Sequence, residues 1–141
     1  MRTEDHSDDQ EIRLTIQRLA RRIRSMQSDE TVTEGQRSVL FSLANHGAQT
    51  LGSLSEHERV TPPSMNRTIN ALVKAGLVTR VGAEDDGRKV SIDLSPAGRT
   101  FIAETRRQRD AWFTQRLASL TPDERSIIER SATILKGIAD S

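Results

Sequence analysis

The 141-residue chain has no cysteine and no tyrosine, one tryptophan and three phenylalanines. Without cysteine it can build no disulfide scaffold, no thiolate zinc site and no thiol redox centre. No apolar run approaches the ~18 residues of a membrane span. The opening MRTEDHSDDQE is acidic and lacks the apolar core of a secretory signal. These absences point to a cytoplasmic protein with no membrane partner. Apolar residues are also scarce, at 34% with only 3% aromatic, which is thin for a compact monomer that must close one round core. Yet a net charge of +1 is not that of a disordered chain. Two solutions remain: an elongated helical protein, or a core completed by a second copy.

The net charge conceals segregation. Residues 1–11 hold five acids and one Arg, residues 12–27 hold five Arg and no acid, residues 28–58 hold five acids and one Arg, and residues 60–80 hold Arg67, Lys74 and Arg80 with no acid. Anionic partners respond to local potential rather than to the total, so the basic blocks are the candidate working surfaces. Eighteen of the 21 basic residues are Arg, whose planar fork suits phosphate and guanine.

Residues 12–27 read IRLTIQRLARRIRSMQ, with Ile12, Ile16, Leu19, Ile23 and Met26 at alternating steps of four and three. This is one narrow helical seam suited to packing on another helix. The acidic stretch before it reads as a tail that includes His6. Thr33 caps a second helix that buries Val39, Leu40, Leu43 and Ala44 and ends at Gly47; Thr50 caps a short third helix, LGSLSEHE. Thr61 caps a fourth, with Pro62 at its first position, running to Gly76. Its residues Met65, Ile69, Leu72 and Val73 face inward, leaving Ser64, Asn66, Arg67 and Asn70 outside. LVTRV and KVSIDL then flank a Gly- and Asp-rich tip, which reads as a β-hairpin. Ser95 and Thr121 cap two further helices, the second with a capping box to Glu124 and a stripe of Ile127, Ile128, Ile134, Leu135 and Ile138.

Helix, turn, capped helix and hairpin is the order of a winged helix-turn-helix. The expected fold is mainly α, with a small hairpin wing and long helices at both ends. A helix fits the DNA major groove and reads base edges with its N-terminal residues. Ser64, Asn66 and Arg67 stand at that end, and Asn and Arg pair bidentately with adenine and guanine. The helix N-terminus favours phosphate, so Thr61 and Ser64 can contact the backbone. Arg88 at the hairpin tip can enter a narrow minor groove.

From Thr50 to Leu94 the sequence resembles the MarR (multiple antibiotic resistance regulator) family of bacterial transcription factors. The residues that carry the likeness are Asp86-Gly87-Arg88-Lys89-Val90-Ser91-Ile92-Asp93-Leu94-Ser95, Pro96-Ala97-Gly98 after it, and Ala75-Gly76-Leu77-Val78-Thr79-Arg80 before it. The resemblance implies a wing whose Arg88, with Lys89 beside it, contacts DNA while Asp86 steadies it by ion pairing. It implies that residues 61–70, including Thr61, Ser64, Asn66, Arg67 and Asn70, read a pseudo-palindromic operator. It also implies a homodimer of intertwined terminal helices, built on Ile12, Ile16, Leu19, Ile23, Ile127, Ile128, Ile134 and Leu135. On that plan residues 1–30 are an N-terminal dimerisation helix with its acidic tail, 31–95 a DNA-binding lobe, and 96–141 C-terminal dimerisation helices. Many members release DNA on binding a small aromatic or anionic effector. Phe101, Ile102, Trp112, Phe113 and Leu117 are core residues or part of such a pocket, and the ligand residues are unknown from sequence. The chain departs from the family in its turn, where Glu58 and Arg59 replace an apolar residue and a glycine; Arg59 can add a phosphate contact there.

The reading is therefore a dimeric sequence-specific regulator, a repressor released by an effector, with no cofactor. An enzyme is disfavoured: His6, His46 and His57 are scattered, with no carboxylate pair at ligand spacing and no phosphate-cradling glycine loop. His46 and His57 read as helix-end residues, and no metal site is expected. A metal-sensing winged-helix repressor and a winged helix used for protein contact remain as alternatives.

Overall fold

In the computed structural model, which describes residues 3–26, 31–82 and 90–141, those residues form six helices and three short strands. The order is α1 (Thr3–Arg24), α2 (Glu34–His46), β1 (Gln49–Thr50), α3 (Leu51–Glu58), α4 (Pro62–Lys74), β2 (Val78–Val81), β3 (Ser91–Leu94), α5 (Pro96–Ala118) and α6 (Pro122–Ala139). Asp86, Arg88 and Lys89 lie outside the described residues.

Five helices begin on a side-chain oxygen that takes the N–H three residues on: Thr33 from Gln36, Thr50 from Ser53, Thr61 from Ser64, Ser95 from Gly98 and Thr121 from Glu124. Each satisfies one donor that the helix itself cannot. At Thr121 the box is reciprocal. Its backbone N–H donates to the Glu124 carboxylate at 3.0 Å and holds that carboxyl below its ordinary range. A second reciprocal box, unforeseen from the sequence, joins Thr33 and Gln36.

Two expectations are corrected and one, the hairpin, is extended. Helix α1 starts at Thr3, so the acidic stretch with His6 is helical rather than a tail. It contains no Gly or Pro to break a helix, and it has no apolar seam through which periodicity could reveal it. The hairpin is part of a three-stranded antiparallel sheet of order β1-β3-β2, in which Gln49 pairs with Ile92 and Val78 with Leu94. Two residues of β1 are too few to carry an alternation. Finally, Val73 is exposed rather than inward, and Ser64 is half-buried rather than fully outside.

The chain divides into two compact units: one holds α2 through β3 with residues 96–107 of α5; the other holds α1, residues 108–118 of α5, and α6. The first has a continuous core in which Val39, Leu40, Leu43, Leu54, Met65, Ile69, Leu72, Val78, Ile92 and Ile102 are almost fully buried. Its corner after α4 is closed by a Schellman pair: Gly76 N–H donates to Val73 and Leu77 N–H to Leu72, both at 3.0 Å, with Gly76 at φ 77°. Ser95 then binds that corner, N–H to Leu77 O at 3.0 Å and hydroxyl to Gly76 O at 2.5 Å. Gly98 packs so close that a Cβ would lie 2.1 Å from the Leu77 oxygen.

The second unit is different. Helix α6 has no buried residue. Ile12, Ile127, Ile134 and Ile138 are 52–65% exposed, and Ile16, Leu19, Ile128 and Leu135 are exposed as well. Of the expected α1 seam, Ile23 and Met26 are half-buried. A groove of about 870 Å3 runs among Ile12, Thr15 and Ile16 of α1 and Ile128, Ser131, Ile134, Leu135 and Ile138 of α6. Trp112 lies under two guanidinium groups, Arg22 at 5.7 Å and Arg116 at 5.5 Å from the ring centre. Phe113 and Leu117 are half-buried here, while Phe101 and Ile102 belong to the other unit's core. No helix among the described residues is long and apolar enough to cross a membrane.

Gly98→Ala should lower stability by about 1–3 kcal/mol, because the added methyl meets backbone rather than a yielding side chain. A drop in the urea midpoint at unchanged m-value is the expected signature.

Candidate nucleic-acid interface

Helices α3 and α4 meet at a tight turn. Arg59 ends α3 with φ 55° and ψ 44°, and among the described residues it is the sole non-glycine at positive φ. Its N–H donates to Glu56 O at 3.2 Å and the Val60 N–H to Ser55 O at 3.1 Å, the same bonding pattern as at Gly76. The departure at Glu58-Arg59 thus keeps the glycine-type geometry and accepts a left-handed arginine. Glu58 plays a different part. Its carboxylate accepts the Ser38 hydroxyl at 2.6 Å, tying α3 to α2.

Thr61 begins α4 in extended conformation, its side chain accepting the Ser64 N–H at 3.3 Å. Pro62 and Pro63 carry no N–H, and the Met65 N–H donates to Thr61 O at 2.9 Å. The backbone donors of this helix end are therefore absent or used. A phosphate here would meet hydroxyls and the helix dipole rather than a nest of free N–H groups, which narrows the expected helix-terminus contact.

Met65, Ile69 and Leu72 anchor one face of α4 in the core. Asn66, Arg67, Asn70 and Lys74 lie exposed on the other, one helical face by their spacing of three and four. Arg80 of β2 donates to Asn70 Oδ1. Reading adenine bidentately needs both ends of an amide, and Asn70 has its oxygen engaged, so Asn66 is the better placed of the two. Sequence reasoning left Arg80 out of the site; its one signal was the acid-free run in which it sits. From residue 59 to residue 83 there is no acid at all, against Arg59, Arg67, Lys74 and Arg80. A rigidly anchored helix with an exposed, cationic, amide-bearing face is chemically fit for a polyanion with readable edges.

Comparison with known proteins agrees with that chemistry. The model of the MarR family matches residues 32–90. An HTH-type transcriptional regulator of Mycobacterium tuberculosis is 38% identical over 130 residues, covering 92% of this chain and 91% of the relative. The HTH-type transcriptional repressor MdtR of Bacillus subtilis is 28% identical over 119 residues, covering 81% of this chain and 76% of its own. The structure of a MarR family protein from Bacillus stearothermophilus superposes with a TM-score of 0.78 at 23% identity, over 100% of this chain and 99% of that one, a likeness of fold.

Two substitutions test how this helix pair is set. Thr61→Ala should cost about 1 kcal/mol through the lost cap. Arg59→Gly should raise stability by roughly 0.5–1 kcal/mol, the relief of the left-handed residue exceeding the added chain entropy. Thermal or urea melting of the two variants beside the parent gives both signs.

Proposed function

The chain belongs to the MarR family of DNA-binding transcriptional regulators, which are not enzymes, and from that premise we propose a homodimeric repressor that reads a pseudo-palindromic operator. The observation that carries this is the exposed α4 face of Asn66 and Arg67 within an acid-free stretch, set on a buried Met65-Ile69-Leu72 anchor. Asn66 reads a base edge in the major groove; Arg67 meets guanine or phosphate. Thr61 and Ser64 hold the backbone through their hydroxyls. Asn70 works as a pair with Arg80. Arg88 and Lys89 carry the wing contact and Asp86 steadies it, as the resemblance implies.

The dimer is supported by the uncovered apolar stripes. Ile12, Ile16, Leu19, Ile127, Ile128, Ile134 and Leu135 stand exposed in a single chain, an arrangement that water penalises at ~25 cal/mol per Å2 until a second apolar surface covers it. Residues 1–30 and 96–141 supply the dimerisation helices, with Ile23 already half-buried within its own chain, and 31–95 supply the DNA-binding lobe. Repression is favoured by the likeness to MdtR, named as a repressor. Release by a small aromatic or anionic effector rests on the resemblance alone. Such a regulator works in the cytoplasm, where its DNA is.

Selection of bound sequences from random DNA should return half-sites about one helical turn apart. On the selected operator, Asn66→Ala should cost about 1–3 kcal/mol, concentrated at one base position, whereas Arg67→Ala at a phosphate would weaken all sequences alike and lower the salt slope by about one. Equal loss across every operator variant would remove Asn66 from base reading. A monomer in sedimentation at micromolar concentration would remove the dimer.

A further inference from the structure

The ends of α2 and α3 carry a pair of histidines. The rings of His46 and His57 lie 5.9 Å apart, centre to centre, tilted by 34°, and both residues are exposed. Between the two helices sits Gln49, which is buried. Its amide nitrogen donates to Ser42 O at 3.3 Å and to the Ser42 hydroxyl oxygen at 3.1 Å. A carbonyl oxygen can only accept, so this contact fixes which way the Gln49 amide points. The Gln49 Oε1 therefore faces His57 Nδ1, at 2.9 Å. Because Oε1 also only accepts, Nδ1 carries the proton, and in the neutral ring the lone pair is on Nε2.

An imidazole held through Nδ1–H by an oxygen acceptor, with the other nitrogen presented as a lone pair, is the arrangement by which proteins orient metal-ligating histidines. Here a second imidazole stands beside it. Residues 38–58 contain Glu56 and Glu58 and no Lys or Arg; the cation next to the pair from another element is Arg106, which donates to Asn45 Oδ1 at 3.0 Å. Among the described residues no group of three or more His, Cys, Asp or Glu gathers that could hold a metal. The protein would thus supply two nitrogens and water the remaining positions. Imidazole donors select late first-row ions rather than magnesium or calcium.

We infer that His46 and His57 form a two-imidazole site for one divalent zinc-, nickel- or copper-class ion, oriented from beneath by Gln49. A bound ion bridges the last turns of α2 and α3 and stabilises the folded chain by mass action. The site is independent of the operator reading, and it needs no cysteine.

Calorimetric titration of the full chain with Ni2+ and with Zn2+ tests it. One ion per chain is expected, with a melting temperature that rises with metal concentration. His46→Ala and His57→Ala should each weaken binding by about tenfold or more, on the scale of lost ligand support, while His6→Ala leaves it unchanged. Both histidines are at the surface, so circular dichroism of the variants should be that of the parent. Nitrogen-15 spectra of the metal-free imidazoles should find His57 protonated on Nδ1. Binding that survives loss of both histidines, no binding of either ion, or a His57 protonated on Nε2 would overturn the proposal.

Discussion

The corner where α4 leaves for the sheet sets the geometry of the unit that holds α2 through β3. Gly76 turns the chain with a positive φ, Leu77 offers its carbonyl, and Ser95 takes both carbonyls of that corner while capping α5. Gly98 must lack a side chain for α5 to start where it does. Four segments, α4, β2, β3 and α5, are thereby fixed to one another within a few residues. The exposed α4 face inherits its orientation from this knot and from the buried Met65, Ile69 and Leu72, not from anything on the face itself. That separation lets the exposed residues be chosen for chemistry alone.

The same unit shows how charge and capping divide the work at α4. Two prolines remove the free N–H groups that would make its N-terminus a general anion site. What is left there is side-chain chemistry, which discriminates better than backbone N–H groups do. Arg80 ties the sheet to the helix through Asn70 and takes that amide's oxygen out of use. The other unit has the opposite character, with almost no burial and a long apolar groove on α1 and α6. The scarcity of apolar residues in the composition is thus unevenly spread. One unit has a full core and the other has its apolar residues outside.

Most helix starts were legible because a cap acts over three residues. Thr33, Thr50, Thr61, Ser95 and Thr121 each find their partner inside that window. The apolar periods of α2, α4 and α6 were legible for the same reason. The first turns of α1 were not, since a polar helix has no period to read, and neither was β1, two residues long. The candidate site was half legible. Asn66 and Arg67 follow from helix spacing and the acid-free run, while the engagement of Asn70 by Arg80 joins residues ten apart in different elements.

The sequence by itself determined the order of elements, their caps, the patterned charge and the family. Those depend on neighbours along the chain. The tertiary structure alone decided that Arg59 would stand in for a glycine, that Gln49 would meet His57 beside His46, that Val73 would be exposed, and that α6 would have no fully buried residue in its own chain. Each of these is settled by which surfaces meet across the fold, and contacts between distant segments leave no local period or spacing by which to read them.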